Sequence, residues 1–149
     1  MTGFDLTYDG ISEFCLFAGT ETGQIIRIST SQQATPKPLI QAHYGQVEVM
    51  YGNAERMELV SLGKDNLIKL WSLSVFSAQN DSKGFENMHV KIQLAITPIT
   101  TIDISPGVPN LMKVFFCDDY VDIVLTTLTH NLQIWRYAYG KGTSSPSDL

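Results

Sequence analysis

Hydrophobic and polar residues alternate along this chain in short stretches that end at glycine, proline, asparagine or aspartate. Alternation with a period of two residues is typical of β-strands that have one buried face and one exposed face. No window of about a dozen residues follows the 3.6-residue period of an amphipathic helix. The pattern therefore predicts an all-β chain.

Three pairs of predicted strands are separated by tight turns. Each turn contains glycine or asparagine, the residues that most readily adopt the positive φ angles of such turns. Each pair is therefore predicted to form a β-hairpin. The paired segments are 14–19 with 24–29, 58–62 with 67–73, and 123–128 with 132–137.

The hairpins are similar to one another and recur along the chain. Aligning them places Ile28, Trp71 and Trp135 at equivalent positions, 43 and 64 residues apart. Further strands are predicted before and after the hairpins, which makes a four-strand unit of about 45 residues, the period of propeller blades. These further strands are predicted at 1–7, 38–41, 47–53, 90–94 and 99–105.

The units divide the chain into three predicted blades and a tail. A polar loop insertion is predicted within the second blade and another insertion within the third, where residues 112–116 are a candidate additional strand. The polar end of the chain, GKGTSSPSDL, is predicted to be a flexible tail. The boundaries are 1–46 for blade 1, 47–98 for blade 2 with insertion 74–89, 99–139 for blade 3 with insertion 106–120, and 140–149 for the tail.

The middle unit carries the most specific motif of the chain. Its LVSLGKDNLIKLWSL resembles the end of a WD repeat, and Ala42-His43 resembles the Gly-His of that family. The third unit keeps LQIW, which ends at Trp135, whereas the first unit has Ile28 where the family has tryptophan. The chain is thus similar to the WD-repeat β-propeller family. The resemblance implies a partial propeller of about three four-stranded antiparallel blades.

The same resemblance implies a structural hydrogen-bond network inside the second blade. His43 would bond Ser61 and Asp65, and Trp71 would close the network through its indole N–H. Replacing His43 or Trp71 with alanine is then expected to cost roughly 1–3 kcal/mol of stability. His43, Ser61 and Asp65 are also the ingredients of a nucleophilic triad, which is the alternative interpretation. No Gly-x-Ser-x-Gly elbow surrounds Ser61, so the structural interpretation is favoured.

Composition excludes several classes of function. The 149 residues include 10 Lys and Arg against 15 Asp and Glu, so the basic footprint of a nucleic-acid binder is missing. No apolar run reaches the roughly 18 residues of a membrane span, and the start lacks the pattern of a signal peptide. Cys15 and Cys117 are predicted to be buried thiols, and the scattered histidines predict no metal site. We expect an intracellular, cytoplasmic protein without a cofactor.

The expected function is that of a non-enzymatic scaffold for protein–protein interactions in a larger complex. The candidate partner contacts are the loop residues Glu21, Tyr44, Gln46 and Lys64, for which plain solvent exposure is the alternative. GTETGQIIRIS resembles early blades of dynein intermediate chains, which implies a cytoskeletal or ciliary role. The motif of the second unit is also similar to the lethal-giant-larvae and tomosyn group, which acts in polarity and vesicle traffic. An enzyme or small-ligand binder that uses the propeller channel is a further alternative.

Three units do not close a propeller, because closed propellers have four to eight blades. Three explanations remain open from the sequence. The chain is a piece of a larger propeller, or it pairs with itself or with a partner, or it has more units than the pattern reveals. The predicted partners are other proteins or further blades, with no nucleic acid and no membrane insertion.

Overall fold

The computed structural model of the chain describes residues 1–8, 10–29, 35–78 and 91–148. These residues form strands and turns without a helix, which confirms the predicted all-β fold. The strands make three four-stranded antiparallel sheets, which were also predicted. Since the described ranges lack helices altogether, they contain no helix long and apolar enough to cross a membrane.

In each sheet the strands follow one another in chain order. Sheet 1 contains β1 (Thr2–Tyr8), β2 (Ile11–Gly19), β3 (Gln24–Ser29) and β4 (Lys37–Gln41). Sheet 2 contains β5 (Val47–Asn53), β6 (Glu58–Gly63), β7 (Leu67–Ala78) and β8 (Lys91–Asp103). Sheet 3 contains β9 (Pro109–Phe116), β10 (Tyr120–Thr127), β11 (Leu132–Ala138) and β12 (Gly142–Asp148).

The three sheets repeat the same strand register. Leu16 lies opposite Ile28 in sheet 1, and Leu59 lies opposite Trp71 in sheet 2. In sheet 3, Ile123 lies opposite Trp135. The three central hairpins are therefore equivalent in pairing as well as in sequence.

Sheet 2 lies in the middle of the stack and is covered on both faces. Neighbouring residues of a strand point to opposite faces, so Leu59 belongs to the core shared with sheet 1 and Val60 to the core shared with sheet 3. Strand β6 is consequently buried along its whole length. Strand β10 of sheet 3 alternates between buried and half-buried positions, because one of its faces lies against sheet 2 and the other does not.

Strands β7 and β8 extend as a two-stranded arm beyond the rest of sheet 2. Past Ser72, β7 pairs with β8 alone, and this arm packs against the core of sheet 1 through side chains such as Leu73 and Ile92. Arg27 of sheet 1 donates a hydrogen bond to the carbonyl of Ile92 at 2.8 Å. The start of the predicted loop 74–89 is therefore strand up to Ala78, and its remainder lies outside the described residues.

The third unit differs from its prediction at its first strand. Residues 99–103 are the far half of β8 and pair with β7, Asp103 lying opposite Leu67. The first strand of sheet 3 is instead β9, which lies inside the predicted insertion 106–120. The alternating pattern of residues 99–105 specified a strand but not its partner, and the long β7 offered a continuous pairing edge.

The predicted flexible tail is also different in the structure. Residues 142–148 form β12, whose Gly142 lies opposite Ala138 and whose Asp148 lies opposite Gln133. An edge strand is held by backbone hydrogen bonds, which do not require apolar side chains, so its polar composition concealed it. Leu149 lies outside the described residues.

Candidate functional site

Loops from sheets 1 and 2 meet at one end of the stack, which we call the loop end. It consists of the β2–β3 turn (residues 20–23), the β4–β5 connection (42–46) and the β6–β7 turn (64–66). Backbone hydrogen bonds join the three loops, so the loop end is one continuous surface. These bonds run from Val47 N to Thr20 O at 3.0 Å, from Ala42 N and His43 N to Gly23 O at 2.9 and 3.0 Å, and from Lys64 N to Gln46 O at 2.9 Å.

Gly23 is the residue that lets the first turn approach the connection so closely. Its φ of +88° lies in the left-handed region, and a Cβ atom there would collide with the carbonyl oxygen of His43. The side-chain amide of Gln41 adds two further ties by donating to the carbonyls of Thr22 at 2.7 Å and His43 at 3.0 Å. Both turn and connection are thereby fixed to each other.

Directly beneath the loop end lies a buried hydrogen-bond relay of four side chains. The His43 Nε2–Ser61 Oγ distance is 2.7 Å, and the Trp71 Nε1–Ser61 Oγ distance is 2.9 Å. His43 Nδ1 lies 3.0 Å from Asp65 Oδ1. The relay thus joins the β4–β5 connection, both central strands of sheet 2 and the turn between them.

The donors of this relay point in one direction. The Trp71 indole donates to Ser61 Oγ, the Ser61 hydroxyl donates to His43 Nε2, and His43 Nδ1–H donates to the Asp65 carboxylate. This order requires a neutral imidazole. Burial lowers the pKa of His43 below its ordinary value and outweighs the attraction of the nearby Asp65, which favours that neutral form.

Asp65 also orders the backbone around the relay. Its carboxylate accepts hydrogen bonds from the amides of Tyr44 at 3.0 Å and Leu67 at 3.2 Å. Gly63 leaves room for the imidazole, since a Cβ atom there would collide with the ring of His43. The polar sequence Gly63-Lys64-Asp65-Asn66 is therefore a turn built around a buried histidine.

Ser61, His43 and Asp65 have the hydrogen-bond pattern of a nucleophilic triad, but the serine is inaccessible. Ser61 is 0% exposed and His43 is 2% exposed. The Ser61 oxygen also accepts the indole N–H, whereas a nucleophile needs an open path to its substrate. The geometry is therefore that of a buried relay.

The four residues predicted as partner contacts all lie at the loop end. Tyr44 is 90% exposed, Glu21 and Lys64 are exposed, and Gln46 is half-buried. The Tyr44 backbone is held by Asp65, so its ring projects from an ordered position. An exposed aromatic ring on a fixed backbone is a suitable anchor for a protein partner.

Sheet 3 adds a pocket to the same end, which the sequence did not reveal. The amide of Leu128 donates to the carbonyl of Val108 at 3.0 Å, and these side chains are 58% and 52% exposed. The pocket has a volume of about 330 Å³. No sequence signal connects its two segments, because the β8–β9 connection and the β10–β11 turn meet only through folding. It is lined by Pro106, Gly107, Val108, Thr127, Leu128, Thr129, Asn131 and Gln133.

A second polar contact, also missed at the sequence level, joins sheets 2 and 3 at the opposite end of β6. The Tyr139 hydroxyl donates to both carboxylate oxygens of Glu58, at 2.7 and 2.8 Å, and Arg56 lies 4.3 Å from the centre of the Tyr139 ring. Burial raises the pKa of Glu58, and burial together with this carboxylate raises the pKa of Tyr139. Their separation of 81 residues explains why no local pattern indicated the pair.

The described residues hold no group of three or more His, Cys, Asp and Glu side chains that could bind a metal ion. Cys15 is buried, and burial raises the pKa of its thiol. Comparison with known protein families, curated proteins and solved structures found no match for this chain.

Proposed function

We propose that this chain is part of a WD-type β-propeller that acts as a non-enzymatic scaffold and binds other proteins through its loop end. The observation that carries the proposal is the loop end itself, where hydrogen bonds join three loops and present Tyr44 at 90% exposure. Stacked antiparallel sheets that bring their turns to one end provide a rigid support for recognition loops.

The chemistry of the loop end suits a protein partner. Tyrosine is enriched among the residues that dominate binding energy at interfaces, and Tyr44 is preorganised by its backbone bond to Asp65. Glu21 and Lys64 are exposed at the same loop end and carry charges of opposite sign, which would orient a partner more than they would add to its affinity. The exposed Val108 and Leu128 extend the apolar area of the same end.

The buried relay supports a structural rather than catalytic role for His43, Ser61 and Asp65. The complete burial of Ser61 leaves no approach for a substrate, and every donor of the relay already has an acceptor. A fully satisfied buried network specifies one strand register and thereby fixes the loop that carries Tyr44. The cytoskeletal or ciliary role and the polarity or vesicle-traffic role stay predictions from the resemblance.

Site-specific photo-crosslinking tests the proposal. A photoreactive phenylalanine analogue at position 44 is expected to crosslink a defined partner protein in cells. The same analogue at Glu55, an exposed turn residue at the opposite end of sheet 2, is the control and should not crosslink it. The double variant Tyr44→Ala, Lys64→Glu should lose the partner without a change in melting temperature. Identical adducts from both positions would contradict the proposal.

A further inference from the structure

Two sheet faces at the ends of the stack carry apolar side chains, and neither lies against another sheet of the described structure. We call the face that carries Ile28, Trp71 or Trp135 the backward face of its sheet and the opposite face the forward face. On the forward face of sheet 3, Leu111 is 67% exposed and Phe115 is 55% exposed. The backward face of sheet 1 carries the half-buried Leu16, Ile26 and Ile28.

Both junctions inside the molecule join a forward face to a backward face. Phe4 and Phe17 on the forward face of sheet 1 belong to one core with Trp71 on the backward face of sheet 2. Leu70 on the forward face of sheet 2 belongs to one core with Ile123 on the backward face of sheet 3. The two uncovered faces are therefore the two complementary halves of a junction that the molecule already forms twice.

We propose that a second copy of this chain covers both faces, so that two copies stack head to tail into a closed ring. The forward face of sheet 3 in each copy would lie on the backward face of sheet 1 in the other. Head-to-tail contacts form rings or open filaments, and closed rings have four to eight sheets. The described residues of each copy form three sheets, and six is the one multiple of three in that range. The inference rests on the propeller arrangement of the proposed function.

The charges on the two faces favour this pairing. Asp5 lies on the backward face of sheet 1 opposite Phe14, and Lys113 lies on the forward face of sheet 3 opposite Val124. Both side chains are exposed, and neither forms an ion pair within the described residues. Each belongs to the first strand of its sheet, and inside the molecule first strands contact first strands, β1 against β5 and β5 against β9. The stack of two copies would therefore bring the strand that carries Lys113 against the strand that carries Asp5 of the second copy.

Sedimentation equilibrium on the purified chain tests the association. The expected mass is twice the 16.6 kDa of one chain. Phe115→Glu is expected to give a monomer, because it adds an unpaired carboxylate opposite Asp122, whose own charge is paired with Arg136, on a face that the junction would bury. The altered side chain is already 55% exposed, so the fold should tolerate the change. An unchanged circular dichroism melting curve would establish that the variant is folded. A monomeric parent chain at every concentration, or a mass that grows without limit, would overturn the closed pair.

A mixing experiment distinguishes head-to-tail stacking from contacts between identical faces. Phe115→Glu blocks the forward face and Ile28→Glu blocks the backward face, so each variant alone is expected to be monomeric. In an equimolar mixture, the unaltered forward face of the Ile28→Glu copy can still lie on the unaltered backward face of the Phe115→Glu copy. The mixture should therefore form a one-to-one complex that is weaker than the parent dimer. If either single variant still dimerises, or if the mixture stays monomeric, the inference is wrong.

Charge reversal gives a matched set of variants on the folded surface. Asp5→Lys and Lys113→Asp are each expected to raise the dissociation constant about tenfold. The double reversal restores opposite charges at both junctions and should recover the parent affinity; additive weakening would overturn the pairing. A monomeric chain that still crosslinks its partner through position 44 would remove this inference and leave the proposed function standing.

Discussion

Sheets 2 and 3 place a tryptophan at the same position but give its indole N–H different partners. In sheet 2, Trp71 is 2% exposed and donates to Ser61 across the hairpin at 2.9 Å. In sheet 3, the half-buried Trp135 donates to Gln133 of its own strand at 3.3 Å. The position equivalent to Ser61 is Leu125, which is completely buried and has no hydroxyl to offer.

The difference shows how a repeated sheet tolerates loss of a polar network. A sheet covered on both faces must satisfy every polar group internally, because water does not reach it. Sheet 3 has Leu125 and Thr129 where sheet 2 has Ser61 and Asp65, and its core at this point is apolar. At this position packing alone holds the hairpin of sheet 3, whereas the hairpin of sheet 2 is held by packing and by a polar relay. Four predictions separate these contributions.

The largest effect is expected from Ser61→Ala. The substitution leaves both the Trp71 N–H and His43 Nε2 buried without a partner, which should cost about 3 kcal/mol of the free energy of unfolding. Gln133→Ala in sheet 3 is the matched control. It should lower the free energy of unfolding by less than about 0.5 kcal/mol, because the indole of its partner Trp135 is only half-buried. Urea denaturation of both variants measures the contrast. Equal costs would contradict the difference between the two sheets.

The tryptophans themselves should differ in the same direction. Trp71→Phe loses buried contacts and the hydrogen bond to Ser61, for an expected cost of about 2 kcal/mol. Trp135→Phe should cost about 0.5 kcal/mol, since its indole N–H makes a local and longer bond. Chemical denaturation of the pair gives the comparison. A larger cost at Trp135 would show that sheet 3 depends on its tryptophan more than the contacts indicate.

The contact between sheets 2 and 3 is expected to depend on one phenol. Tyr139→Phe removes the donor to the buried Glu58 carboxylate and should cost about 1–2 kcal/mol. Tyr137→Phe is the control, because the Tyr137 hydroxyl has no hydrogen bond among the described residues. Thermal denaturation monitored by circular dichroism compares the two. If both substitutions are equally mild, the phenol–carboxylate contact does not contribute measurably.

The smallest effect is a pH dependence that originates in the relay. The pKa of His43 is lowered in the folded state, so the unfolded chain binds the proton first as the pH falls. The stability that depends on the neutral imidazole is therefore present above about pH 6.5 and lost progressively below it.

Denaturation between about pH 7.5 and pH 5 measures this slope. His43→Gln should flatten this slope, because it removes the group whose pKa is lowered by burial. A slope that survives in His43→Gln would assign the titration to another group.

The sequence was informative wherever neighbours in the chain are also neighbours in the fold. The Gly63-Lys64-Asp65-Asn66 turn and the hairpin ending at Trp71 are local, so alternation and turn residues identified them. Residues 99–103 and β12 were misassigned because pairing partners, rather than composition, decide which sheet a strand joins. Glu58 and Tyr139 meet across 81 residues, a contact that no local pattern encodes.

The sequence by itself therefore determined an all-β chain of repeated hairpins and the residues around its most specific motif. Hydrophobic alternation and turn residues act over a few neighbouring residues, so both can be recognised in the sequence alone. Only the tertiary structure decided which sheet received the strand at 99–103, which loops share one surface, and which faces lie against no other sheet of the described residues. Those outcomes depend on side chains that meet across the stack, where burial and hydrogen bonding select one partner among several compatible strands.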